Sequence, residues 1–197
     1  MLALVVVAHP STESFCHALA TRAASGLSAA GHDVVVVDLY ALGVRPHMSA
    51  EEHHAYHGDS PILDPLIAEH AALVQTAEVL VFVYPTWWSG LPAILKGWLE
   101  RVMVPGVGFV LDERTNTVRP ALRQVRHIIG ISTYGSPRSY VRLVNDNGRR
   151  VITRALRMSC GFRARPRWLG LYAIDTSTDT RRTEFLADVE AQMAEVR

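Results

Sequence analysis

The sequence has little of what would place it outside a reducing compartment or inside a membrane. Its 197 residues include two cysteines, Cys16 and Cys160, too few for a disulfide framework and not at metal-ligand spacing, which is compatible with a reducing compartment. No apolar run approaches the roughly 20 residues that a membrane-crossing helix needs. The first apolar run, Leu2 to Ala8, lacks the basic flank of a signal peptide, so a cytoplasmic protein without membrane insertion is expected. Several catalytic patterns are also missing. There is no P-loop, Gly106-Val107-Gly108 lacks the third glycine of a dinucleotide fingerprint, and Gly130-Ile131-Ser132-Thr133-Tyr134 lacks the closing glycine of a nucleophile elbow. His9-Pro10 stand where a phospho-acceptor receiver carries acids. Lysine is nearly absent: Lys96 is the only one, and every other base is an arginine.

The formal net charge of +1 conceals an asymmetry. The first 100 residues carry three basic side chains against ten acidic ones, and the remainder carries seventeen arginines against nine acids. Such a split marks an anion site, an interface or a plain surface distribution. Length and a 49% hydrophobic content fit one domain spanning residues 1–197. Five short apolar runs read as strands: Leu2–Ala8, Asp33–Asp38, Glu78–Tyr84, Val125–Thr133 and Trp168–Ile174. The first three are nearly continuous in hydrophobicity, as in a parallel sheet covered on both faces. Between the first two, Phe15, Leu19, Ala23, Leu27 and Ala30 follow helical spacing up to Gly31. A further helix is expected from about Pro92 to Met103, with Ser89 as its cap and Leu95, Trp98, Leu99 and Val102 as its apolar stripe. Alternation of strands and helices predicts a doubly wound, three-layer α/β fold. The stretches at about 40–60 and 104–121 are longer than ordinary connections.

In such sheets ligands bind beyond the carboxyl ends of the strands, and three ends are informative. After the first strand, His9-Pro10-Ser11-Thr12-Glu13-Ser14-Phe15-Cys16 is a polar turn entering a helix, able to hold a phosphate on free amides or simply to cap that helix. After the third, Tyr84 to Pro92 places Trp87 and Trp88 side by side in a loop, which suits a planar ring or a partner surface. After the fourth, Ser132 to Tyr140 is rich in small polar residues whose backbone groups are open to a ligand's polar edge. Together they describe a site for a flavin mononucleotide half.

The run Pro85-Thr86-Trp87-Trp88-Ser89-Gly90-Leu91-Pro92-Ala93-Ile94-Leu95-Lys96-Gly97-Trp98-Leu99-Glu100-Arg101-Val102 resembles the flavin loop and following helix of the NAD(P)H:quinone oxidoreductases of the DT-diaphorase type almost residue for residue. His9 with Ser14-Phe15-Cys16, and the second strand running into Asp38-Leu39-Tyr40, are similar to the same family, and the likeness extends over most of the chain. It implies a flavodoxin-like three-layer sandwich with a five-stranded parallel sheet of order 2-1-3-4-5. It also implies a bound flavin, FMN and FAD both remaining open, with NAD(P)H as co-substrate and a quinone or similar small acceptor. Pro85, Thr86, Trp87, Trp88 and Ser89 are expected along the ring, with Thr133, Tyr134 and Gly135 at its pyrimidine edge. His9, Ser14, Phe15 and Cys16 fall around the phosphates, Cys16 standing where the family has Asn, and Glu100 falls near the adenosine half of FAD. Tyr140 matches the Tyr of a Tyr-His pair that orients quinone. Asp146 occupies the His position, so Tyr140 is expected as an orienting hydroxyl, with Trp88 and Arg138 as further substrate contacts. The family also implies a homodimer.

Other features read more plainly. His47, His53, His54 and His57 lack a third metal-spaced ligand type and read as solvated loop histidines. Arg150, Arg154 and Arg157 form the basic face of an amphipathic helix opposite Val151, Ile152, Ala155 and Leu156. Without interleaved aromatics this does not describe a nucleic-acid surface. The arginine-rich half is expected to serve the phosphates of the nicotinamide nucleotide or a dimer contact. A non-catalytic flavoprotein, either an electron carrier or a regulatory subunit of a transporter, is the competing class; the basic character of residues 138–167 speaks against a carrier with an acidic face.

Overall fold

The protein is described by a computed structural model over residues 1–112 and 114–197. Its central sheet contains β1 (Leu2–Val7), β2 (Asp33–Asp38), β3 (Val79–Pro85), β6 (His127–Thr133) and β7 (Arg165–Leu171), while β4 (Phe109–Asp112) and β5 (Thr117–Pro120) form a separate antiparallel hairpin. All pairings in the five-stranded sheet are parallel. The order is β2-β1-β3-β6-β7 in place of the expected 2-1-3-4-5, because the hairpin takes the fourth and fifth places in sequence. That hairpin occupies part of the stretch read as irregular at 104–121.

Continuous hydrophobicity of β1 and β3 follows from burial on both faces. Leu4, Val6, Leu80, Phe82 and Tyr84 point into one core and Ala3, Val5, Val7, Val79, Val81 and Val83 into the other. At about 1.5–3 kcal/mol for each fully buried aliphatic side chain, these strands hold the three layers together. The first core is covered by α3 (Pro65–Thr76), α4 (Ala93–Val102) and the segment running through a π turn at Val151–Ala155 into α7 (Leu156–Ser159). The second is covered by α1 (Phe15–Ala29) and α8 (Asp179–Ala194). The sequence reading has no counterpart for α8, since only Val189 and Met193 of it are fully buried and its apolar stripe is faint. It packs closely on α1 at Gly26, where a Cβ would overlap the Glu190 carbonyl. Among the described residues no helix is long and apolar enough to cross a membrane.

Several boundaries differ from the sequence expectation. β7 begins at Arg165, in a polar Arg-Pro-Arg run, and pairs only with β6; an edge strand tolerates Pro166 and charge where a central one does not. The N-cap of α4 is Pro92, with no side-chain cap, and Ser89 belongs to the preceding turn. The basic helix at 147–159 is broken into α6 (Asn147–Arg150), the π turn and α7. Trp98 is fully buried, as the stripe predicts, and its indole N–H donates to His70 Nδ1 at 3.0 Å.

One buried guanidinium fixes α4 against the acidic half of the chain. Arg101 has 1% of its side chain exposed. It donates to Glu52 through Nε at 2.9 Å, to Asp64 through Nη2 at 2.7 Å, and to the Arg45 carbonyl through Nη1 at 3.1 Å. Glu52 also closes the capping box of α2 (Ala50–Ala55), accepting the Ser49 N–H at 2.7 Å, and Asp64 caps α3 through the Leu66 N–H at 3.0 Å. Desolvation raises the Glu52 pKa, but the Arg101 and Ser49 hydrogen bonds outweigh it and the net shift is downward. The hydrogen bond from Arg101 likewise lowers that of Asp64. Gly97 lets α4 approach this region, since a Cβ there would overlap the Pro46 carbonyl.

Replacing Arg101 by Met strands two carboxylates and is expected to cost about 3–5 kcal/mol, read as a lower urea midpoint. Both carboxylates bind protons less readily folded than unfolded. Their contribution is therefore present above the ordinary carboxylate pKa and lost as pH falls through the lowered folded values. Arg101→Met should remove that part of the acid sensitivity, and an unchanged slope of stability against pH would contradict it.

Candidate active site

Pairing of β3 with β6 runs to the last residue of each strand, Pro85 beside Thr133. It continues through the Thr86 N–H, which donates to the Thr133 carbonyl at 2.8 Å, and the Thr86 and Ser132 hydroxyls lie 2.8 Å apart. The chain then reverses sharply. Trp87 and Gly90 exchange hydrogen bonds of 3.2 and 3.0 Å, and the two residues between them, Trp88 and Ser89, have φ of 47° and 57°. Positive φ at both central positions is the pattern of a type I′ turn, which favours Asn and Gly. A tryptophan and a serine held there store on the order of 1–3 kcal/mol each. The turn leaves Trp88 fully exposed and Trp87 half-exposed.

Beside this turn lies a pocket of about 230 Å³, lined by Thr86, Trp88 and Ser89 on one side and Tyr134, Tyr140 and Asp146 on the other. Tyr134 anchors the far wall. Its ring stacks on Tyr172 at 4.5 Å with 13° between planes, and its hydroxyl donates to both Asp146 oxygens at 3.1 Å. Burial, and then the charge of Asp146, hold its pKa far above the ordinary phenol value, so Tyr134 is a neutral donor. Asp146 sits in left-handed conformation, φ 42° and ψ 63°, and caps α6 by accepting the Arg149 N–H at 3.4 Å.

At the carboxyl end of β1, His9 Nδ1 accepts the Ser11 N–H at 3.1 Å, and its ring lies 6.1 Å from that of Trp87. The two residues meet where the strand order reverses between β1 and β3, the place where doubly wound sheets hold their ligands. Ser14 caps α1 by accepting the His17 N–H at 3.3 Å, and its Oγ is 2.9 Å from His17 Nδ1. His17 Nε2 is 2.8 Å from Asp38 Oδ2. The first two amides of α1, those of Phe15 and Cys16, precede the helical hydrogen-bond ladder and lie at this same edge.

The structure gathers Thr86, Trp88, Ser89, Tyr134, Gly135 and Tyr140 around one pocket, with His9 and Trp87 adjoining it. Other expected residues lie elsewhere. Pro85 and Thr133 are buried at the base of the turn, and Phe15 packs on the core beneath α1. The Cys16 thiol is buried, 3.9 Å from Thr133 Oγ1, and desolvation pushes its pKa up to about 11. It faces the core, where a phosphate cannot reach it, so the expected side-chain contact is corrected. Glu100 is exposed, pairs with Lys96, and lines a separate apolar cavity of about 570 Å³ with Met48, Leu99 and Met103. Arg138 lies over the Tyr172 ring at 5.9 Å, outside the pocket. Asp146, at the family's His position, bonds Tyr134 and not Tyr140. His17 and Tyr172 carry no signal in the sequence, and only their neighbours across the fold give them a role.

The comparisons with known proteins agree with this architecture. The chain is 32% identical over 153 residues to NAD(P)H dehydrogenase [quinone] 1 of Rattus norvegicus, covering 70% of this chain and 55% of that relative's length. It is 29% identical over 204 residues to the protein of the same name from Cavia porcellus, covering 94% of this chain and 73% of that relative. The chain thus spans between about half and three-quarters of these relatives. The NAD(P)H:quinone oxidoreductase from Methanothermobacter marburgensis shares the fold, with a TM-score of 0.83 at 24% identity, covering 100% of this chain and 99% of that one. Residues 1–193 match the Flavodoxin_2 family, described as having a flavodoxin-like fold, and the chain belongs to that family.

Proposed function

We propose that this chain is a flavin-dependent NAD(P)H oxidoreductase, passing a hydride from NAD(P)H by way of a bound flavin to a quinone or similar small acceptor. The observation that carries the reading is Trp88: a large indole fully exposed in a strained turn, at the edge of a pocket beside the strand-order reversal. Strain of this kind persists where the surroundings over-determine it, and exposed aromatic area of this size favours a planar ligand.

The residues present fit such a group. Trp87 and Trp88 offer aromatic faces, Gly135 offers backbone polar groups at the pocket wall, and the first turn of α1 offers amides for a phosphate. FMN and FAD satisfy these features equally. When bound, the flavin supplies a carrier that accepts two electrons from the nicotinamide and returns them to the acceptor. The protein's part is positioning. Tyr134 keeps its proton at Oη, held toward Asp146, and so offers a fixed hydrogen-bonded wall. Tyr140, half-exposed at the mouth, orients an acceptor oxygen through its hydroxyl. Trp88 excludes water from the ring face. A homodimer belongs to the same reading, supported by the open apolar cavity between α2, α4 and the π turn.

Anaerobic addition of NAD(P)H should bleach the flavin of the purified holoprotein, and menadione should restore its colour; a protein that retains no flavin overturns the reading. Steady NAD(P)H consumption without a reductase partner separates an enzyme from a carrier. Trp88→Ala should weaken flavin retention or acceptor turnover roughly tenfold, the loss of one aromatic contact. Tyr140→Phe should lower turnover only a few-fold, because its hydroxyl has no charged partner to relay a proton. Unchanged kinetics in Trp88→Ala would make the turn purely structural.

A further inference from the structure

A second groove, of about 400 Å³, adjoins the pocket and shares Val141 and Asp146 with it. Its walls carry Arg138, Arg142, Arg149, Arg150 and Arg154, all exposed, against the single carboxylate of Asp146. That carboxylate is already engaged by the Tyr134 hydroxyl and the Arg149 N–H. Elsewhere in the chain Arg22, Arg45, Arg101, Arg119, Arg126 and Arg182 each have a carboxylate within 4.0 Å. Among the described residues none of the five groove arginines does. Arg138 lies over Tyr172 and Arg149 over Trp168, both at 5.9 Å. Arg142, Arg150 and Arg154 have no such partner.

Five like charges on one concave wall repel one another and stay together at a cost unless an anion joins them. The local backbone is also unusual. Asn145 and Asp146 are consecutive left-handed residues, φ 74° and 42°, and the short helix ending at Arg150 runs into a π turn at Val151–Ala155 that carries Arg154. Such turns recur at functional sites. Tyr172, stacked on Tyr134 of the pocket, gives the groove an aromatic wall continuous with the pocket's own.

We propose that this groove is the phosphate subsite for the nicotinamide nucleotide and that it selects the 2′-phosphorylated form, NADPH, over NADH. The inference rests on the functional reading above and adds to it a substrate class. Five guanidiniums against one carboxylate leave four uncompensated positive charges. A dinucleotide pyrophosphate answers two of them, and a 2′-phosphate brings about 1.5 to 2 more at neutral pH. Guanidinium groups bind phosphate oxygens in forked pairs, which a lone point charge does not match. Because groove and pocket are contiguous, a nucleotide with its phosphates among the arginines has its nicotinamide end free to enter the pocket.

The test is equilibrium binding to the purified flavin-loaded protein, followed by calorimetry. NADP⁺ is expected to bind at least tenfold more tightly than NAD⁺, with an affinity that falls steeply with salt, and 2′,5′-ADP should compete where 5′-AMP does not. Arg142→Gln, Arg150→Gln and Arg154→Gln should each reduce the preference for NADP⁺ several-fold, with unchanged circular dichroism showing that the fold is kept. Equal affinities for NADP⁺ and NAD⁺, or a preference that the three substitutions leave intact, overturn the subsite. So does dissociation of a dimer by these substitutions without a change in nucleotide affinity, which assigns the arginines to an interface. Flavin bleaching by NADH and NADPH alike, together with equal affinities, would defeat the subsite and leave the oxidoreductase standing.

Discussion

Everything at the carboxyl edge of the sheet depends on the pairing of β3 with β6. The ladder holds its register to Pro85 and Thr133, and the Thr86 N–H extends it one step beyond the strands. That last hydrogen bond sets where the chain reverses, and hence where Trp88 emerges. Tyr134 is fixed by the same ladder from the other side, through its N–H bond of 2.9 Å to Leu171 on β7. A slip of one residue would turn every buried side chain of β3 to the opposite core. The walls of the pocket are therefore placed by the register of the sheet beneath it.

Charge in this molecule is sorted by role. In the acidic half, Glu52 and Asp64 meet the buried Arg101 and tie α2, α3 and α4 together, with α4 emerging directly from the tryptophan turn. The carboxylates there serve helix caps and the guanidinium at once, which offsets the desolvation of all three groups. In the arginine-rich half the bases outnumber the acids and collect around a groove. A net charge of +1 thus conceals both a satisfied buried network and a groove whose five arginines face a single carboxylate. The second of these, not the total, bears on what the protein binds.

Strain is concentrated in the same region. Of the seven non-glycine residues with positive φ among the described residues, Trp88, Ser89, Asn145 and Asp146 flank the pocket or the groove beside it, the others being Asn116, Phe162 and Ala173. Asp146 does two things from that conformation: it caps α6 and receives the Tyr134 hydroxyl. Its commitment to Tyr134 leaves Tyr140 without a charged partner among the described residues, in keeping with Tyr140 as an orienting hydroxyl only. Cys16 shows the opposite case, a residue near the ligand edge in sequence whose side chain belongs to the core.

The sequence by itself determined the layered α/β fold, because β-branched runs alternate with helical segments and the first three runs are too continuously hydrophobic for a sheet with one solvated face. It also pointed to the candidate site, because ligands of such sheets collect at the strand ends and Trp87-Trp88 and Ser132 to Tyr140 lie there. The C-terminal helix escaped it, since two fully buried residues in sixteen leave almost no periodic signal. What only the tertiary structure decided was which side chains face the pocket. Pro85, Phe15, Cys16 and Thr133 turn inward while Trp88 and Tyr140 turn outward, and Asp146 finds Tyr134 and not Tyr140. Those choices are made by packing between distant segments and by backbone conformations at single residues, and neither is encoded in local pattern or spacing.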